Sequence, residues 1–153
     1  MEKIRTLLAD DHQLFRESVV DILESQPDFD VIGEASDGIE AVFKARGLKP
    51  DLILMDVNMP GCDGLEATKQ IMTDLPQTRI VMLTNSDTDD QLFAALNSGA
   101  QGYLLKSTHR QALLERLRGA WQGEMVFSPE ISGRIPDLLR HPPRSLLEDA
   151  IGG

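Results

Sequence analysis

At 153 residues the chain is long enough for one ordinary domain and short for two. Its 25 acidic and 15 basic side chains give a net charge of −10, which excludes a protein that grips nucleic acid through overall charge. Cys62 is the single cysteine, so neither an internal disulfide nor a cysteine cage for zinc can form. No apolar run approaches the ~20 residues of a membrane span. The acidic pair Asp10–Asp11 comes too early for a signal peptide. A cytoplasmic chain with no membrane partner is expected.

Short apolar runs, rich in Val, Ile and Leu, then alternate with stretches of helical spacing. Residues 4–9 form the first run, and Phe15, Val19, Ile22 and Leu23 share one face of a helix after it. The second run, 31–35, is followed by Asp37 and Glu40 at capping-box spacing, with Asp in place of the usual Ser or Thr. The third run, 52–57, leads to Asp63, a cap for a helix whose face is Leu65, Thr68, Ile71 and Met72. After the fourth run, 80–83, a helix ends past Leu96 at Gly99. The fifth run, 103–105, precedes Leu113, Leu114, Leu117 and Trp121 at helical spacing. Pro27, Pro50 and Pro76 fall in connections, where they interrupt no ladder. Runs this short and this apolar are strands buried on both faces. Five of them alternating with five helices predict a flavodoxin-like, doubly wound five-stranded parallel sheet of order 2-1-3-4-5, with five flanking helices.

After Gly123 the pattern changes. Ser128-Pro129-Glu130 reads as a helix start with Pro at its first position, and Pro136 and Pro142-Pro143 cut the tail into pieces of one or two turns. Residues 1–123 are expected to be the folded domain, and 124–153 a linker or frayed appendage.

The polar residues sit at the ends of the apolar runs. Asp10 and Asp11 close the first, Asp56 the third, Thr84 the fourth and Lys106 the fifth. Open α/β sheets place their ligands at this carboxyl edge, and the switch point of the expected order falls beside Asp10 and Asp56. Like-charged carboxylates ~5 Å apart repel by roughly 3 kcal/mol per pair at an effective dielectric of ~20. A hard divalent cation relieves that repulsion, and Mg²⁺, which takes a few carboxylates, waters and a phosphate, suits such a cleft. Lys106 adds a compact, mobile positive charge. Singly, each of these residues is an ordinary cap or strand end. Together they form the equipment for an acyl phosphate on a carboxylate.

With these residues in place, the chain resembles the receiver domain of two-component response regulators over residues 3 to about 122. Leu-Leu-Ala-Asp-Asp-His is similar to the family's acidic pair, Leu-Ile-Leu-Met-Asp-Val-Asn-Met-Pro-Gly to its phosphoacceptor strand and loop. Met-Leu-Thr-Asn resembles the switch-hydroxyl segment and Gly-Tyr-Leu-Leu-Lys the final strand. The resemblance is closest to the NarL/FixJ branch, whose output is a LuxR-type helix-turn-helix. It implies that Asp56 accepts a phosphoryl group from a sensor histidine kinase. It implies Mg²⁺ (or Mn²⁺) held by Asp11, Asp56, the backbone carbonyl of Asn58, and Asp10 through water. It implies Thr84 and Lys106 on the phosphoryl oxygens and Tyr103 as the aromatic that moves inward on activation. Ser107 stands where many receivers carry Pro, and Asn85 where a small residue is common.

The expected function is therefore a phosphorylation-driven switch rather than an enzyme, with self-phosphorylation and slow self-dephosphorylation as its only chemistry. Its output is expected to be transcription through a DNA-binding domain outside this chain, since such a domain needs roughly 60 residues and a basic recognition helix. The chain itself is expected to bind no nucleic acid, and to form a homodimer on phosphorylation. The alternative is a stand-alone receiver acting by protein contact. A haloacid-dehalogenase-type hydrolase fits poorly, because it carries Asp-x-Asp after its first strand. A flavin-binding domain fits poorly too, because two carboxylates occupy its phosphate loop. His12, His109 and His141 are read without a catalytic role, His12 as a solvated or capping residue of the first helix.

Overall fold

The structure, a computed structural model, describes residues 2–85 and 88–143. Strand β1 (Ile4–Ala9) lies between β2 (Phe29–Ala35) and β3 (Leu52–Asp56), and all three run parallel. Strands β4 (Arg79–Thr84), β5 (Gly102–Leu105) and β6 (Val126–Phe127) continue the parallel sheet in the order β2-β1-β3-β4-β5-β6. The helices are α1 (Gln13–Glu24), α2 (Gly38–Leu48), α3 (Gly64–Asp74), α4 (Asp89–Asn97), α5 (Arg110–Trp121), and the short α6 (Pro129–Ser132) and α7 (Ile135–Arg140). The flavodoxin-like order is as expected for the first five strands. The expected five strands and five helices are corrected to six and seven among the described residues. A two-residue strand leaves no apolar run to read, so β6 was invisible in the pattern.

Strand side chains alternate between two cores, as a period of two dictates. Leu8, Leu54, Val81, Leu83 and Leu104 pack with Val19 and Leu23 of α1 and with Leu113, Leu114 and Leu117 of α5. Leu7, Ile53, Met55, Ile80, Met82 and Tyr103 pack with α2, α3 and α4 on the other face. Each fully buried Leu or Ile contributes ~1.5–3 kcal/mol against exposure, so two-sided burial is what makes the strands apolar throughout. Trp121 departs from its helical stripe: it ends α5 and is 39% exposed.

The helix starts follow the sequence. Asp37 Oδ1 accepts from Glu40 N at 2.7 Å, and Asp63 Oδ1 from Glu66 N at 2.9 Å. Gly99 adopts a positive φ just beyond α4, and Pro129 opens α6. Residues 126–140, read from the sequence as linker or appendage, are packed. Val126 and Phe127 pair with Gly102 and Tyr103, and Ile131 and Leu138 are buried in the α4-side core.

Candidate functional site

Strands β1 and β3 are neighbours, but α1 covers one face of the sheet and α3 the other. Their connections peel apart at the carboxyl edge and open a crevice between Asp10 and Asp56. Gly64 lets α3 begin against the floor of that crevice, since a Cβ there would lie 2.0 Å from the carbonyl oxygen of Asp56.

Asp10 is 1% exposed and held on three sides. Its N–H donates to Ala35 O at 2.9 Å, its carbonyl accepts from Arg16 Nη1 at 2.6 Å, and Oδ1 accepts from His12 N at 2.8 Å. Asp11 and His12 follow on the exposed rim, with His12 as the N-cap of α1. Its side chain makes no capping bond; the Asp10 carboxylate takes the backbone N–H instead. Ligand atoms of Asp10, Asp11 and His12 lie within 4.8 Å of one another.

Asp56, the last residue of β3, is 5% exposed. Its Oδ1 accepts from Asn58 N at 3.2 Å, and Oδ2 accepts from Lys106 Nζ at 3.2 Å. Burial and the neighbouring Asp10 charge push its pKa up to about 6, and Lys106 and Asn58 offset them only in part.

Lys106 emerges from β5 with its N–H bonded to Thr84 O at 2.7 Å. Its ammonium lies 2.8 Å from Asp10 Oδ2 and 4.7 Å from the centre of the Phe15 ring. Asp10 Oδ2 is buried, and it faces this ammonium as an ion pair. Burial draws the Lys106 pKa down, but the carboxylates of Asp10 and Asp56 outweigh burial and hold it above its ordinary value. One cation thus bridges two buried anions.

Thr84 ends β4 and Tyr103 is the second residue of the adjacent β5; both are fully buried. The Tyr103 ring, expected to move inward on activation, is already inside, in the core with Met82, Leu92 and Ala95. Asn58 is exposed, and its Oδ1 accepts from Gln91 Nε2 of α4 at 3.3 Å. The structure thus joins Asp10, Asp56 and Lys106 directly and sets Asp11 and Asn58 on the rim. Phe15 and Gln91 were missed from the sequence; an aromatic on an apolar helix face and a polar residue in a first turn carry no signal of their own.

The donor set fits a hard divalent cation. It consists of carboxylate oxygens, the buried pair of Asp10 and Asp56 sharing one ammonium, beside an exposed rim open to water.

Doubly wound α/β proteins bind their ligands at this carboxyl edge, at the switch point where Asp10, Asp56 and Lys106 meet. The response regulator receiver domain family matches residues 6–118, and the chain belongs to that family. The chain is similar to the transcriptional regulatory protein YxjL of Bacillus subtilis, with 46% identity over 134 residues, 88% of this chain and 62% of the relative. It is 44% identical over 138 residues to the transcriptional regulatory protein LiaR of the same organism, covering 90% of this chain and 65% of LiaR. The chain therefore spans less than two thirds of the length of these relatives. Among solved structures, a LuxR-family two-component response regulator from Aurantimonas sp. SI85-9A1 superimposes with a TM-score of 0.84 at 32% identity, covering 89% of this chain and 97% of that one. The response regulator domain of CheB from Thermotoga maritima gives 0.73 at 38% identity, covering 79% and 98%. No helix among the described residues is long and apolar enough to cross a membrane.

Proposed function

We propose that this receiver is a cytoplasmic phosphoacceptor switch in which Asp56 takes the phosphoryl group from a sensor histidine kinase. The observation that carries the reading is the Lys106 bridge between Asp10 and Asp56 at the switch point of the sheet. A carboxylate oxygen of Asp56 forms the new O–P bond as the P–N bond to the kinase histidine breaks, and the imidazole leaves. Asp11, Asp56 and the carbonyl of Asn58 would hold Mg²⁺ or Mn²⁺, with Asp10 acting through water; the bound cation supplies positive charge to the phosphoryl oxygens. Lys106 swings from Asp10 to those oxygens, and the Thr84 hydroxyl donates to one of them. Movement of Thr84 then changes the packing that Tyr103 shares with α4, a local charge event biasing a bistable element. Beyond accepting and slowly losing its own phosphoryl group, the chain has no catalytic task.

The relatives are transcriptional regulatory proteins. Transcription, through a DNA-binding domain outside residues 1–123, is accordingly the output, with 124–153 leading towards it, and phosphorylation promotes pairing of two copies. The test is intact mass after incubation with acetyl phosphate. Wild type gains one phosphate in the presence of Mg²⁺ and Asp56→Asn gains none. A hydroxylamine-labile phosphate on the Asn variant overturns the assignment.

A further inference from the structure

Residues 126–140 form a strap across the β5 edge and α4. Val126 and Phe127 continue the sheet, with Val126 N bonded to Gln101 O at 3.1 Å. Ser128, fully buried, then acts as a side-chain continuation of the ladder: its Oγ accepts from Leu105 N at 2.9 Å and meets Thr108 Oγ1 at 3.1 Å. Gly102 is the residue that admits the strap, because a Cβ there would lie 2.3 Å from Val126 Cγ2 and 2.5 Å from Val126 O. Beyond Ser128, Ile131 and Leu138 bury their side chains in the core that holds Leu92 and Ala95 of α4 and Tyr103 of β5. Arg134 pairs with Asp89, in the first turn of α4.

That first turn has a second attachment. Gln91, two residues after Asp89, donates its side-chain amide to Asn58 in the loop that follows Asp56. One turn of α4 is therefore tied on one side to the phosphoacceptor loop and on the other to the strap. The Arg134–Asp89 pair is largely exposed and contributes little by itself. Apolar burial of Ile131 and Leu138 holds the strap, and the ion pair sets where it lies along α4.

We infer that the strap 126–140 is an intramolecular latch on α4, released when the site is phosphorylated. The inference rests on Asp56 being the phosphoacceptor. Its physical content is a coupling: if charging the site loosens the strap, loosening the strap must strengthen binding of a phosphoryl group by the same factor. The strap also covers the β5 edge with its own strand, so release uncovers an edge that the resting chain keeps paired.

The experiment is hydrogen exchange on the whole chain with and without beryllofluoride and Mg²⁺, together with a beryllofluoride titration of Arg134→Glu and of Leu138→Ala. Protection of the amides at 126–128 and in α7 is expected to fall about tenfold on adding the mimic, while β1 and β3 stay protected. Each variant is expected to reach half-saturation at about fivefold lower mimic, within the usual span of allosteric coupling. If α4 responds to the mimic while 126–140 keeps its protection, the latch is wrong and the phosphoacceptor reading stands. If the strap loosens but the variants bind the mimic as wild type does, the strap and site are uncoupled and the latch is again overturned. If wild type takes up no mimic at all, the reading of Asp56 falls and the latch with it. The wild-type exchange arm needs no variant to fold.

Discussion

Lys106 Nζ stands 3.2 Å from Asp56 Oδ2, and this contact does not suffice to balance the charge it serves. The same ammonium is nearer to Asp10, at 2.8 Å, and the two carboxylates share it. With burial added, Asp56 is left with a pKa of about 6 against an ordinary 3.8. The resting site is short of positive charge by design of its geometry.

Asp56→Asn is expected to stabilise the unphosphorylated protein at neutral pH. The folded pKa lies above the unfolded one, so the folded state disfavours the charged form. That penalty is absent below pH ~4, grows as pH rises towards ~6, and is complete above it. A rise from 3.8 to about 6 corresponds to ~3 kcal/mol at pH 7. Thermal melts should show Asn above wild type by several degrees at pH 7.5 and level with it at pH 4. Saturating Mg²⁺ should close the gap at pH 7.5 by stabilising wild type. Equal melting of the two proteins at pH 7.5 without Mg²⁺ would contradict the charge deficit.

Lys106→Ala is expected to do the opposite. The Lys106 side chain is 6% exposed and faces two carboxylates that are also buried. Removing one partner of a buried ion pair typically costs ~3 kcal/mol or more. The loss should shrink as pH falls and Asp56 takes a proton. Combining Lys106→Ala with Asp56→Asn should recover most of it, since one of the two stranded anions is gone. A double variant as unstable as Lys106→Ala alone would place the damage in the packing against Phe15 instead.

Which parts of this were legible beforehand follows from the range of the interactions. The caps at Asp37 and Asp63 bond N–H groups three residues away, so spacing alone exposed them. The strands were legible because burial on both faces leaves uninterrupted apolar runs. Asp10, Asp11, Asp56, Thr84 and Lys106 could be put at one edge of the sheet because each closes such a run. Contacts between distant segments left no such trace. Arg118 bonds Asp28, holding that carboxylate below its usual pKa, and the two are 90 positions apart. Val126 reaches β5 through two residues, too few for a period of two to emerge. Tyr103 was placed on the right strand, but which way its ring points depends on α4 and the strap packed over it, and neither is written locally.

Ser128→Ala tests the strap's polar anchor without changing its apolar side chains. The Ser128 hydroxyl is buried and accepts from Leu105 N, so its loss removes that N–H's acceptor. A buried donor stripped of its acceptor costs ~1–3 kcal/mol. Urea unfolding should show a loss of this size, with faster amide exchange at Leu105. Wild-type stability together with wild-type exchange at Leu105 would mean that the strap's docking does not depend on this bond.

The chain should not bind DNA on its own, although its relatives regulate transcription. Residues 1–125 carry a net −9 and residues 126–153 a net −1, so neither part offers the basic stripe that counterion release requires. Several of the cations are engaged in ion pairs: Arg16 with Glu34, Arg46 with Asp74, Arg118 with Asp28, and Arg134 with Asp89. In the tail, α6 has four residues and α7 six, with Pro136 in the first turn of α7 and Pro142-Pro143 just beyond it. At 1.5 Å per residue the longer of them spans ~9 Å, too short to read successive base edges along a major groove. Arg144, the last tail arginine, lies outside the described residues. A gel-shift titration at low ionic strength is the demanding test, because electrostatic binding is strongest there. No shift is expected with or without beryllofluoride. Micromolar binding that weakens steeply with added salt would show that the tail arginines form a minimal DNA-binding surface.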